Sequence, residues 1–154
     1  MTILVFSDTH GHTGPMLETI GRTTPDLILH LGDHDRDAKD VAAKFPQIPL
    51  RVVRGNCDMG QKNPVMETFV FAEQRIIMTH GHRHNVKWGY EDIWAMGRTA
   101  GARILLFGHT HIPYYEQVGS MHVLNPGSAG TGSRKSAGLI RMTEEGIRCS
   151  HLSL

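Results

Sequence analysis

Seven side chains of this 154-residue sequence have the chemistry of metal ligands: Asp8, His10, Asp33, Asn56, His80, His109 and His111. They fall in five short blocks: Asp8-Thr9-His10, Gly32-Asp33, Gly55-Asn56-Cys57-Asp58, Thr79-His80-Gly81-His82 and Gly108-His109-Thr110-His111. A single divalent ion needs about four to six donors, so seven from well-separated segments fit two ions better than one. Two ions about 3.5–4 Å apart call for a bridging carboxylate and usually a bridging hydroxide. Asp33 is the expected bridge, because it is the central-strand carboxylate with no histidine two residues on. Imidazoles with an amide suit manganese, iron, nickel, cobalt or zinc better than calcium or magnesium. Taken singly, a Gly-Asp is usually a turn and a lone histidine a satisfied polar residue; the ordered set of five points to a dimetal centre.

Each block follows an apolar run. Ile3–Phe6, Leu27–Leu31, Leu50–Val53, Arg75–Met78 and Arg103–Phe107 read as strands, the first of them buried on both faces. In extended backbone, residues i and i+2 project to one side, so Asp8 and His10 are expected to reach one point. An extended His109-Thr110-His111 has few structural uses. In open α/β sheets, ligands bind beyond the carboxyl ends of the strands, which would gather all seven donors on one rim.

Between the strands, Pro15–Ile20 reads as a helix with proline at its first position and Gly21 closing it. Ala38, Val41, Ala42 and Phe45 form one face of a second helix that stops at Pro46. A third runs from about Trp88 to Ala100, with Ile93, Met96, Gly97 and Ala100 on one face and Gly101 as its stop. The chain turns from Gln61 to Pro64, and Ala72-Glu73-Gln74 turns between the strands Thr68–Phe71 and Arg75–Met78. Pro113–Val118, Met121–Leu124, Gly138–Met142 and Gly146–Leu152 are further short strands, and Gly127–Ser136 is expected to be a loop or a mobile connection. No duplication or linker divides residues 1–154, which read as a single domain.

Composition narrows the function classes. Sixteen basic and 15 acidic residues leave a net charge of +1 with no single-sign run. That argues against a nucleic-acid stripe or a polybasic membrane patch. No apolar run approaches the roughly 18–20 residues of a membrane span, and the N-terminus lacks the charged region and cleavage site of a signal peptide. Cys57 and Cys149 do not make a disulfide framework, so a reducing cytoplasm is the expected compartment.

The five ordered blocks resemble the calcineurin-like metallophosphoesterases. His80-Gly81-His82-Arg83 with Val86 and Lys87, and Asn125-Pro126-Gly127-Ser128, are similar to the small single-domain phosphodiesterases of bacteria and archaea. The resemblance covers Ile3 to about Ser128 with specific motifs. It implies an α/β fold, a four-layer αββα sandwich of two mixed sheets with flanking helices. By the family pattern, Asp8, His10, Asp33 and His111 would hold one metal, and Asp33, Asn56, His80 and His109 the other. Manganese is the first expectation for both, with nickel, iron, cobalt and zinc as alternatives.

The implied reaction is hydrolysis of a small phosphodiester by in-line attack of a hydroxide shared between the metals. Asn56 would reach both a metal and a phosphate oxygen. Many larger members have a histidine after that asparagine to protonate the leaving group; here the residue is Cys57. His10, His82 or a metal-bound water would have to substitute, and Cys57 itself reads either as a catalytic group or as a small buried apolar residue. Two alternatives share the fold: a non-catalytic scaffold, for which ligands should be missing, and a phosphomonoesterase or nuclease using the same site. Extended nucleic-acid binding is not expected, and no apolar stripe defines an interface for the self-association common among relatives. Histidines 12, 34 and 84 read as rim or solvated residues; Trp88, Trp94, Tyr114 and Tyr115 read as packing residues; Arg134 and Lys135 read as an exposed charged pair.

Overall fold

The computed structural model describes residues 1–60 and 62–154; the part of the expected 61–64 turn that rests on Gln61 lies outside the described residues. The apolar runs sort themselves by alternation. Ile3 and Val5 of β1 (Thr2–Phe6) and Leu27 and Leu29 of β2 (Leu27–His30) point one way, into a core shared with a second sheet. Leu4, Phe6 and Ile28 point the other way, onto helices. With β3 (Leu50–Val52), β9 (Ser136–Thr143) and β10 (Gly146–Ser153) they make a five-stranded sheet of order β10-β9-β1-β2-β3. In it β1, β2 and β3 are parallel, and β9 and β10 antiparallel.

The second sheet has the order β4-β5-β6-β8-β7, from β4 (Met66–Phe71), β5 (Gln74–Thr79), β6 (Ile104–Leu106), β7 (Pro113–Val118) and β8 (Met121–Pro126). Here β5, β6 and β8 are parallel and the two edges antiparallel. Its Ile76, Met78, Ile104, Leu106 and Leu124 meet the first sheet, while Ile77, Leu105, Phe107 and Val123 face outward. Met16 and Ile20 of α1 (Gly14–Thr23) and Val41 of α2 (Ala38–Lys44) cover the first sheet's outer face; Ile93 of α3 (Glu91–Thr99) covers the second's. The layers are therefore α, β, β and α, as the resemblance implied. Each apolar side chain so buried contributes on the order of 2 kcal/mol.

Several boundaries move. Helix α1 runs through Gly21, and Thr24 ends it by taking the left-handed conformation and donating its N–H to Ile20 O. Helix α3 is shorter than expected: Trp88 lies before it and is 92% exposed. The β4–β5 turn is a two-residue one, with Ala72 and Glu73 both at positive φ, which matches the twist of the strands it joins. The glycine-rich stretch is a loop between β8 and β9, as expected, but Gly127 to Gly130 are buried, and Ala129 packs with Leu4 and Phe6.

Candidate metal centre

Strands β1, β2, β3, β5 and β6 end toward one rim, and the seven sequence-selected residues follow those ends. The local geometry differs from the expected one. Strand β1 stops at Phe6, and Asp8 and His10 have φ of 55° and 46°; Asp33, His109 and His111 are also left-handed. Asp and His tolerate that region better than most residues. Convergence of Asp8 and His10 therefore comes from a tight turn and not from strand alternation. His109 and His111, likewise not extended, part company and join different clusters.

Two clusters result. Ligand atoms of Asp8, His10 and His111 lie within 4.8 Å of one another, and so do those of Asp33, His80 and His109. His111 Nε2 is 3.0 Å from Asp8 Oδ1, and its Nδ1 is 3.1 Å from Thr131 Oγ1. Asp8 Oδ2 accepts from the Ser7 hydroxyl and, at 3.2 Å, from the His109 N–H. In the second cluster His80 Nδ1 donates to Leu31 O at 2.8 Å, so in the neutral ring Nε2 carries the lone pair; Nε2 lies 3.1 Å from His109 Nδ1. The clusters meet at Asp33. Its Oδ1 accepts the Cys57 N–H at 2.9 Å, and its Oδ2 lies 3.5 Å from His80 Nε2 and 3.9 Å from His10 Nε2.

These separations fit cations. Atoms bonded to one ion at about 2.0–2.2 Å sit roughly 3–4 Å apart. His10 Nε2 is buried, lacks a hydrogen-bond partner among the described residues, and stands 3.9 Å from Asp8 Oδ1 as well as from Asp33 Oδ2. That is too long for a hydrogen bond and suitable for a shared metal. Asn56 and Cys57 stand on the rim, both exposed, with Asn56 Nδ2 3.5 Å from Cys57 Sγ. Exposure removes the reading of Cys57 as a small buried apolar residue.

The electrostatics follow the same plan. Burial works to raise the Asp8 and Asp33 pKa values, but it is outweighed by the His111 hydrogen bond and His80 charge at Asp8, and by the His80 hydrogen bond and charge at Asp33. Both carboxyls lie below their ordinary range, Asp33 far below. For His80, burial opposes protonation, yet the Asp33 hydrogen bond and the Asp8 charge raise its pKa. The Asp8 hydrogen bond raises His111. His109 is lowered to about 4, by burial and then by His80. Partial desolvation of its sulfur, followed by Asp33, pushes the Cys57 thiol up to about 11.

Three residues without an assigned role hold the loops together. Asp58 Oδ2 accepts the N–H groups of Asp33 (2.8 Å) and Gly55 (2.7 Å), and its Oδ1 those of His34 (2.7 Å) and Asp35 (3.1 Å). One carboxylate thus fixes the loop after β2 to the loop after β3. His30 Nδ1 accepts the Gly32 N–H at 3.2 Å, so its Nε2 hydrogen is the one donated to Thr9 Oγ1 at 3.1 Å. Asn125 donates to Gly108 O and Thr110 Oγ1 and accepts the Gly127 N–H, fixing the loop that carries His109 and His111. Its place in Asn125-Pro126-Gly127-Ser128 is a sequence signal; Asp58 had only its position after Gly55-Asn56-Cys57, and His30 only a polar side chain inside an apolar run.

The other residues singled out in the sequence divide. His82 is half-buried, its ring 5.5 Å from that of His80, and the His34 ring is 5.2 Å from that of His10. His12 is exposed. Trp94 and Tyr114 pack around Tyr90, joining α3 to its sheet, whereas Trp88 is in solvent.

Comparison with known proteins gives consistent relatives. Residues 1–145 match the model of the calcineurin-like phosphoesterase superfamily domain. A probable metallophosphoesterase of Bacillus subtilis, YsnB, is 31% identical over 131 residues, spanning 83% of this chain and 75% of the relative. The Escherichia coli phosphodiesterase YfcE is 29% identical over 152 residues, covering 83% and 79%. A crystal structure of a Streptococcus pneumoniae protein described as a predicted phosphoesterase superposes with a TM-score of 0.82 at 25% identity, over 99% of this chain and 88% of that one.

Proposed function

The chain belongs to the calcineurin-like phosphoesterase superfamily, and from that premise we propose that it is a dimetal-dependent phosphodiesterase acting on small diesters. The observation that carries this reading is the meeting of two ligand clusters at one carboxylate oxygen, Asp33 Oδ2. Asp8, His10, Asp33 and His111 would hold one divalent ion, and Asp33, Asn56, His80 and His109 the other. Manganese is the first candidate, then nickel, iron, cobalt or zinc. Bound there, such ions supply Lewis-acid polarisation of the phosphoryl oxygens and an acidified water.

The chain's own groups do the rest. Asp33 and Asp8 stay ionised and neutralise the cations, while the Leu31 carbonyl fixes the tautomer that presents His80 Nε2. Asn56 Nδ2, on the rim, offers a donor to a phosphate oxygen. His10 Nε2 is committed between two carboxylates, so a proton for the leaving oxygen falls to His82 or to the Cys57 thiol, which keeps its proton at neutral pH. Neither is a strong acid in position, so aryl diesters should turn over well and alkyl diesters slowly. A scaffold role would be favoured by lost ligands, and all seven are present. Residues 1–154 are taken as one domain with no linker to divide it, and two cysteines far apart in sequence favour a reducing cytoplasm.

The test is hydrolysis of bis(p-nitrophenyl) phosphate by chelator-stripped protein with manganese, nickel, zinc or magnesium added back. Metal-dependent release faster than from the matching monoester is expected. Silence with every metal, on folded protein, would leave the scaffold reading.

A further inference from the structure

The loop between β8 and β9 carries a cation that metal binding does not use. Ser128 Oγ donates to Asp8 O and accepts the Thr131 N–H, both at 2.9 Å. Gly130 donates its N–H to the same Asp8 carbonyl at 3.2 Å, and a Cβ on Gly130 would stand 1.7 Å from Thr9 O. The loop therefore lies directly on the turn that presents Asp8. Its return is tied as well, because Ser136 donates its N–H to Ser128 O at 2.9 Å. Between these fixed feet, Gly132, Ser133 and Arg134 form an exposed arch.

A cleft of about 250 Å³ lies between this arch and the residues Ile112 and Pro113. His111 lines it too, and its ring faces Asp8 with Nε2 and Thr131 with Nδ1, so the cleft and the first cluster share one side chain. One wall is apolar, with Ile112 held by its N–H on Thr110 Oγ1 at 3.2 Å. The other offers the Ser133 hydroxyl and the Arg134 guanidinium, and no acidic residue lines the cleft. Arg134 makes no hydrogen bond or ion pair among the described residues. A guanidinium matches phosphate with paired N–H donors and stays charged at any working pH. Fixed feet lower the cost of ordering the arch around a ligand.

We propose that this cleft is the subsite for one alcohol arm of the diester and that Arg134 selects an arm ending in a phosphate, so that the preferred substrates carry a short phosphorylated polyol or sugar. The inference rests on the phosphodiesterase reading above. With the reacting phosphate at the clusters, the arm passes His111, lies along Ile112 and Pro113, and presents its terminal phosphate to Arg134. A plain alkyl arm fills the apolar wall and leaves the guanidinium without an anion.

The experiment measures kcat/KM on the metal-loaded full chain for the p-nitrophenyl diesters of ethyl, propyl and butyl phosphate, each with and without a second phosphate on the terminal carbon of the alkyl arm. In at least one pair the phosphorylated compound is expected to be better by about tenfold or more, the range of one charged hydrogen-bonded contact. Arg134→Gln should bring that ratio near one and Arg134→Lys should keep part of it, with folding checked by circular dichroism. Arg148→Gln should leave the ratio unchanged, since Arg148 pairs with Glu145 and stands level with Arg141 and Thr2, at the end of the first sheet away from the rim. Equal kcat/KM within all pairs in the unmodified protein, or a preference that survives Arg134→Gln, would overturn the inference while the phosphodiesterase reading stands. Hydrolysis of none of the compounds with any metal would overturn that reading and the inference together.

Discussion

Asp33 carries the most at the scale of single residues. One of its oxygens is spent on the Cys57 amide, and the other faces histidines from both clusters. Asp33→Asn keeps the size and an acceptor but loses the charge that two cations require. Turnover of bis(p-nitrophenyl) phosphate should fall by more than about a hundredfold, beyond the usual cost of losing an outer partner of a ligand. The thermal stabilisation on adding manganese should shrink as well, because binding to the native state alone is what raises the melting temperature. Wild-type rates in the variant would refute the dimetal mechanism. The residue scale also shows what the donor pattern hides. Asp58 gives no ligand atom to either cluster, yet four backbone amides from two loops, that of Asp33 among them, converge on it. Its type and position in the chain say nothing of that, since an aspartate in a loop is usually a solvated turn residue.

At the scale of elements, the loops after the strands are packed against each other closely enough to exclude a methyl group. A Cβ on Gly55 would stand 2.1 Å from Asp33 Oδ1 and 2.6 Å from Asp33 N. Gly55→Ala must therefore displace the very carboxylate that joins the clusters. We expect a loss of about 1–3 kcal/mol of stability, the usual cost of overpacking, together with a loss of metal-dependent turnover. Denaturant unfolding and the diester assay measure the two effects; an unchanged midpoint and rate would mean that the loop relaxes freely. The glycine's role was legible in the sequence only as permission to turn. What approaches it is a residue 22 positions earlier in the chain, brought there because β2 and β3 are parallel neighbours.

For the whole molecule, His30 links the centre to stability. It is buried, and burial lowers its pKa from 6.5 to about 4 against the attraction of Asp37 and Asp8. Between those two values the unfolded chain takes up a proton that the native chain refuses, so stability must fall as pH drops from about 6.5 toward about 4. The contribution is full above 6.5 and lost below about 4, on the order of 3 kcal/mol in total. Melting curves of chelator-treated protein should show that slope, and His30→Gln, which still offers an acceptor and a donor, should flatten it. An equal slope in both proteins would assign the acid sensitivity elsewhere. The sequence by itself determined the strands, the blocks that end them and the seven donors, because an apolar run stopped by glycine and a polar pair is a local signal. It also carried the four layers, through the family resemblance. The resemblance also implied how the donors would divide; what only the tertiary structure decided is the packing that brings them together. Asp8 meets His111 across 103 positions and His80 meets Asp33 across 47, because two sheets bury their inner faces against each other and bring separate strand ends to one rim. The left-handed turns at Asp8, His10, His109 and His111, the buried half of the glycine-rich loop and the holding role of Asp58 all follow from that packing, and no local periodicity encodes it.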